Sequence, residues 1–198
     1  MQYVIMANGA ARRWNNYLGI PKHLVKVDGE TLLERTARLI READPDASVV
    51  ITAHDERYRV PGTALHRPLR WELEIDRFPP ELLVEPTVFL YGDTFYTKEA
   101  VSTICGSTLG GAMCFYGNRT RIFAVRADDF KVMSSLLEEL RNRVVAGEIL
   151  DCKGWQLYHR YLGLPLEGKA IAGDYLLIED ETTDFNTPEE YRAFVERR

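Results

Sequence analysis

The chain reads as an α/β protein: a mostly parallel mixed sheet sandwiched by helices. Three observations predict this. Short, largely apolar runs recur at residues 3–7, 49–53 and 87–91, the signature of strands buried on both faces. Segments with helical apolar spacing lie between and after them. Each of the three runs ends at small or polar residues, where a buried strand leaves the sheet.

Taken in order, Tyr3-Val4-Ile5-Met6-Ala7 is the first strand, followed by a loop of small residues and cations through Pro21-Lys22. A Leu24–Val27 run then turns at Asp28-Gly29. Thr31 and Glu34 have capping-box spacing and open a helix, with Leu32, Leu33, Thr36, Leu39, Ile40 and Ala43 on one face. Asp44-Pro45 closes it, and Val49–Ala53 is the second strand. Residues 57–85, with Pro61, Pro68, Pro79 and Pro80 and mixed polarity, predict no element. Thr87–Tyr91 is the third strand, ending at Gly92-Asp93, and a helix is expected from Lys98 to about Ser107. Two strands follow, Gly110–Tyr116 and Arg121–Val125, joined at Gly117-Asn118. Then come a helix over Asp129–Val145, a shorter one within 152–162, and a late strand at Tyr175–Ile178. Thr187-Pro188-Glu189-Glu190 starts a final helix: cap, proline at the first position, glutamate at the third. No repeat, low-complexity tract or linker interrupts residues 1–198, so one domain is expected.

Bulk properties narrow the function classes. A hydrophobic content of 45% and a charged content of 28% are those of an ordinary soluble globule. The net charge of −5 argues against a dedicated nucleic-acid binder, which carries a basic face, but not against nucleotide binding. Three cysteines, none in a CxxC pair, suit small hydrophobes in a reducing cytosol better than a disulfide framework or zinc site. No signal peptide or membrane span is read, so a cytoplasmic location is expected.

In parallel sheets ligands bind beyond the carboxyl ends of the strands, so loops 8–22, 54–55, 92–97 and 180–187 should converge. The first offers backbone N–H groups at Ala7, Asn8, Gly9, Ala10 and Ala11, with Arg13 and Lys22 as cations suited to phosphate oxygens. It is neither of the standard glycine-rich phosphate loops, and a surface loop with incidental cations would look the same. Asp93, at the end of a buried strand, is placed to hold a divalent metal or simply to cap the next turn. Asp184 and Asn186, two residues apart before a capped helix, can point oxygens the same way.

The combination resembles a known family. MANGAARRWNNYLGIPKHLVKVDGETLLERT is similar to the opening of the NTP-transferase superfamily, which includes sugar-phosphate nucleotidyltransferases, molybdenum-cofactor guanylyltransferases and cytidylyltransferases. FLYGDTFYT resembles the metal-binding strand end of those enzymes, and DFNTPEEYRAF their C-terminal segment. The resemblance implies a Rossmann-like nucleotide-diphospho-sugar transferase (GT-A-like) fold. It also implies transfer of a nucleoside monophosphate from an NTP to a small phosphorylated acceptor, with release of pyrophosphate. It assigns Gly9, Arg13 and Lys22 to the phosphates, and Asp93 with Asp184 or Asn186 to Mg²⁺ or Mn²⁺. Ala11 departs from the family, which has a second glycine there, and Asn186 stands where an aspartate is frequent.

Arg77 and Lys153 are the candidates for acceptor recognition, although for Arg77 a plain salt bridge with Asp76 is the reading preferred to a phosphate contact. Arg12 is a lesser phosphate candidate. The expected partners are an NTP and the acceptor, with no nucleic acid, no membrane and room for a homodimer. Two competing readings share the fold: a glycosyltransferase, for which Asp93-Thr94-Phe95 lacks the D-x-D motif, and a non-catalytic nucleotide binder, which the Ala11 departure would suit.

Overall fold

The computed structural model describes residues 1–9, 11–84, 86–168, 171 and 173–198, without the side chain of Arg12. A seven-stranded sheet runs through the centre. In spatial order its strands are β10 (Leu176–Leu177), β8 (Met113–Gly117), β9 (Ile122–Ala127), β6 (Thr87–Tyr91), β1 (Gln2–Met6), β4 (Ser48–Thr52) and β5 (Ala64–His66). β1 pairs in parallel with β4 and β6, β4 with β5, and β8 with β10; only β9 runs antiparallel to its neighbours.

Both faces are covered. Along β1, Tyr3 and Ile5 point to one face and Val4 and Met6 to the other, as period-two alternation requires. The first face packs against α1 (Leu32–Ala43) and α2 (Lys98–Gly106) through Leu33, Ala37, Ile40, Val101 and Ile104. The second packs against α3 (Phe130–Val145) and α4 (Gly154–Tyr161) through Met133, Leu137, Leu140 and Leu157. Burying each such side chain contributes about 1.5–3 kcal/mol relative to exposure, so the two layers hold the strand ends rigidly.

A third, smaller cluster lies beside the sheet: Trp14, Val25, Val27, Leu32, Phe95, Phe185 and Phe194. It joins the first loop to two antiparallel ribbons and to α5 (Pro188–Val195). One ribbon pairs β2 (Lys26–Val27) with β3 (Glu30–Thr31); the other pairs β7 (Thr94–Phe95) with β11 (Thr183–Asp184).

The helix starts follow the sequence. Thr31 accepts from the Glu34 N–H at 3.2 Å, and the Glu34 carboxylate accepts from the Thr31 N–H at 2.8 Å. Thr187 and Glu190 form the same reciprocal box. The structure corrects three expectations. β5 lies inside the segment 57–85, where no element is predicted. The strand expected from Gly110 begins at Met113, because Gly110 and Gly111 have φ of 79° and 82° and turn the chain instead. The late strand expected at Tyr175–Ile178 shortens to Leu176–Leu177.

Candidate functional site

Asp93 sits where three close approaches meet. The Gly92 N–H donates to the Met6 carbonyl at 2.9 Å, clipping the end of β6 to the end of β1. A Cβ on Gly92 would come within 2.8 Å of that carbonyl oxygen, so only glycine allows the contact. On the other side of β1, the Ala7 N–H donates to the Thr52 carbonyl at 3.1 Å and the Thr52 hydroxyl donates to Asn8 Oδ1 at 3.3 Å. The loop at Asn8-Gly9 therefore leaves the sheet directly beside Asp93.

The Asp93 carboxylate is buried, 8% exposed, and forms an ion pair with Lys22, which is equally enclosed. Burial alone would raise the Asp93 pKa, but Lys22 and Arg77 more than offset it, and the group is held below its ordinary value. Next to Lys22, His23 is 2% exposed and 3.4 Å from the Tyr58 hydroxyl. Burial lowers the imidazole to about 3, against the partial opposition of Asp93, so His23 is a neutral wall of the site.

The first loop is strained and anchored. Ala11, Asn15, Asn16 and Leu18 all have positive φ, between 46° and 57°. Trp14 plugs the loop into the third cluster at 1% exposure, with its indole N–H on the Ile20 carbonyl at 2.9 Å. Ala11 keeps a left-handed backbone (φ 46°, ψ 34°) at a cost of about 1–2 kcal/mol for a residue with a Cβ. Ala10 lies outside the described residues, as does the Arg12 side chain.

Arg13, which is exposed, donates to Asn186 Oδ1 at 2.8 Å. Asn186 Nδ2 donates in turn to Asp184 at 2.6 Å, and Asp184 forms an ion pair with Arg121. The Phe185 N–H donates to the Asp93 carbonyl at 2.9 Å, bringing this segment alongside Asp93. Of the two residues, Asn186 is thus turned towards the first loop, while Asp184 is committed to Arg121.

Arg77 belongs to the same cluster. Its guanidinium pairs with Glu74 and not with Asp76, which is taken by Arg141 at 2.9 Å. That corrects the salt bridge expected from sequence: the turn at Glu74–Arg77 puts residues three apart on one side. The Lys153 side chain is half exposed, with its ammonium 3.5 Å from the Asp151 carboxylate. Tyr91, His23, Glu74 and Arg121 also line or brace the cluster. Sequence reading gave them no role, because nothing local marks them.

The oxygen-only set of Asp93 and Asn186 or Asp184 suits a hard cation such as Mg²⁺, which keeps several waters and takes few protein ligands. Among the described residues no three His, Cys, Asp or Glu side chains converge on one point. A separate cleft of about 700 Å³ lies along α3 and α4, lined in part by Glu139, Arg143, Glu148 and Arg160. Its charges pair with one another, Arg160 with Glu139 at 2.7 Å and Arg143 with Glu148 at 3.1 Å, and it shares no residue with the Asp93 cluster. No helix among the described residues is long and apolar enough to cross a membrane.

The model of the MobA-like NTP transferase domain matches residues 3–79, which include the first loop, Lys22 and Arg77. No curated protein matches the chain in sequence. Among solved structures, CTP:phosphocholine cytidylyltransferase from Streptococcus pneumoniae superposes with a TM-score of 0.63 at 14% identity, covering 99% of this chain and 98% of that one. The inositol-1-phosphate CTP transferase from T. maritima gives 0.63 at 14%, covering 99% and 95%. The nucleoside-diphosphate-sugar pyrophosphorylase from Vibrio cholerae RC9 gives 0.62 at 13%, covering 99% and 100%. Residues 3–79 are thus similar to the MobA-like NTP transferase domain, and the whole chain has the fold these solved structures share.

Proposed function

We propose that the protein is a metal-dependent nucleotidyltransferase, passing a nucleoside monophosphate from an NTP to a small phosphorylated acceptor and releasing pyrophosphate. One observation carries the reading: a buried aspartate, held ionised by the cations around it, stands at the carboxyl edge of the sheet, where β1 runs into the Asn8-Gly9 loop. Sealing a carboxylate and an ammonium away from water costs several kcal/mol before their attraction is counted, and such pairs cluster at functional sites.

In this reading an acceptor phosphate oxygen attacks the α-phosphorus of the NTP, the α–β bridging bond breaks, and pyrophosphate leaves with that electron pair. The acceptor is already anionic, so no general base is required, and positioning and charge neutralisation supply the rate. The amides of Asn8, Gly9 and Ala11 cradle the nucleotide phosphates, the Ala7 N–H being taken by the Thr52 carbonyl, and Arg13 and Lys22 stabilise the leaving pyrophosphate. Asp93 and Asn186, or Asp184 in its place, would hold Mg²⁺ (or Mn²⁺), which would supply charge neutralisation at the phosphates. Arg77 and Lys153 serve the acceptor.

The same reading places the protein in the cytoplasm as a single domain, with a homodimer allowed. It makes CTP with a surface-polysaccharide precursor the first pair to try. The test is a pyrophosphate-release screen of the four NTPs against phosphorylated small molecules, with Mg²⁺ present or chelated. Mg²⁺-dependent release with one pair is the expected result. Turnover of a nucleotide sugar without NTP consumption would replace this reading with glycosyl transfer.

A further inference from the structure

Tyr96 follows Asp93 closely in sequence and is wholly buried. Its hydroxyl reaches back over the turn and accepts a hydrogen bond from the Tyr91 N–H at 3.0 Å. The same hydroxyl donates to the Phe123 carbonyl at 2.6 Å. The β6–β9 ladder ends at the pair Leu90–Ala124, and one more step of its register would set Tyr91 against Phe123. The phenol oxygen therefore stands where the next direct rung would form, and relays the bond between the two backbones. Opening an antiparallel ladder in this way bends the strand at that point. Burial holds the Tyr96 phenol well above its ordinary range, so the O–H keeps the proton it donates.

The turn that carries Asp93 is held from several sides. The Gly92 N–H ties it to the Met6 carbonyl of β1, and the Asp93 carbonyl takes the Phe185 N–H. Both are backbone bonds, which many sequences could make. On the β9 side the tie is a side chain, that of Tyr96. Tyr96 is itself anchored, because its carbonyl accepts from Arg35 Nε at 2.9 Å, and the Arg35 guanidinium lies 4.2 Å from the centre of the Phe95 ring. We propose that Tyr96 is a positioning residue of the candidate site: its hydroxyl, wedged between Tyr91 and Phe123, sets where the Asp93 carboxylate stands. This rests on the nucleotidyl-transfer reading for what Asp93 holds. Without the hydroxyl, the Tyr91 N–H and the Phe123 carbonyl are left unpaired or close on one another. Closure draws the end of β6, and Asp93 with it, towards β9.

The experiment compares Tyr96→Phe, which removes only the oxygen, with Tyr116→Phe. Tyr116 is equally buried, and its hydroxyl donates to the Ser107 carbonyl at 2.6 Å. Both variants should lower the thermal midpoint, since each leaves a buried carbonyl without its donor. Mn²⁺ binding, followed by paramagnetic resonance with a non-hydrolysable NTP analogue present, should separate them. It should weaken about tenfold in Tyr96→Phe and stay within about twofold in Tyr116→Phe. In the pyrophosphate assay kcat should fall about ten- to a hundredfold in Tyr96→Phe, with the KM for NTP within about threefold. Unchanged Mn²⁺ affinity and kcat in folded Tyr96→Phe would overturn the proposal. Equal losses in the two variants would overturn it as well, by reducing Tyr96 to a stabilising residue. If Tyr96→Phe does not fold, Arg35→Gln, which frees the Tyr96 carbonyl, takes its place, and Mn²⁺ binding like that of the parent there overturns the proposal equally. Mn²⁺ binding that weakens in Tyr96→Phe alone, in a protein whose parent releases no pyrophosphate from any NTP, would keep the positioning role and overturn the transfer reading instead.

Discussion

Two carboxylate–cation pairs meet at the β7–β11 ribbon, and they differ in depth. The side chains of Lys22 and Asp93 are 10% and 11% exposed; those of Arg121 and Asp184 are 37% and 23% exposed. An open pair is worth little, a median of about 0–1 kcal/mol, because water screens it. A sealed pair has lost its hydration and depends on its partner, so removing one member costs about 3–5 kcal/mol while replacing both is close to neutral. The sealed pair therefore has the character of machinery and the open one that of a brace, and the two should respond differently to the same substitutions.

The largest contrast is in activity. Asp93→Asn should lower kcat/KM about a thousandfold or more, comparable to losing a preorganised electrostatic group. It should also lower the thermal midpoint, since Lys22 is then left buried and alone. Adding Lys22→Met should restore most of that midpoint and none of the activity, as seen by calorimetric unfolding beside a pyrophosphate assay. Recovery of activity in the double variant would break the distinction.

The second contrast is in pH. The folded pKa of His23, near 3, lies below its unfolded value of 6.5. The unfolded chain therefore binds the extra proton between these limits, and stability falls as pH drops from 6.5 towards 3. Each pH unit in that window should cost up to about 1.4 kcal/mol from this one group. Lys22, Asp93, Arg77 and Tyr58 face the imidazole. Urea titrations of His23→Gln should show a flatter profile between these limits than the parent, and an identical slope would refute the assignment.

Arg121→Gln tests the brace. Asp184 loses its tether, so activity should fall only about three- to tenfold, and stability by less than about 1 kcal/mol. A loss as deep as that of Asp93→Asn would make the open pair part of the machinery. The smallest effect is expected at Ala11. Glycine there relieves the left-handed strain but loosens the unfolded chain, so Ala11→Gly should be neutral or stabilise by up to about 1 kcal/mol. At an ordinary position the same change costs about that much. A clear loss of stability would mean the left-handed backbone carries no strain.

The same division marks what the sequence could tell. β1, β4 and β6 are continuous apolar runs, and the caps at Thr31 and Thr187 are local patterns, so all were legible. Asp93 was legible as a candidate because it follows a buried strand. β5 was not: it is three residues long with no fully buried member, and its partner β4 supplies the pairing. Nor was the pairing of Asp184 with Arg121, 63 residues away, since no local pattern encodes that distance. Arg77 was seen, but its partner was misassigned. Asp76 is adjacent in sequence, yet the turn carries Glu74 to Arg77 and gives Asp76 to Arg141. His23 looked ordinary because only tertiary packing buries it.

The account is tested most directly by following the α-phosphate. With NTP labelled there and Mg²⁺ present, the label should pass to the phosphorylated acceptor with one pyrophosphate released per transfer, and Asp93→Asn should abolish both. Label appearing as nucleoside diphosphate beside orthophosphate, or transfer undiminished in Asp93→Asn, would contradict it.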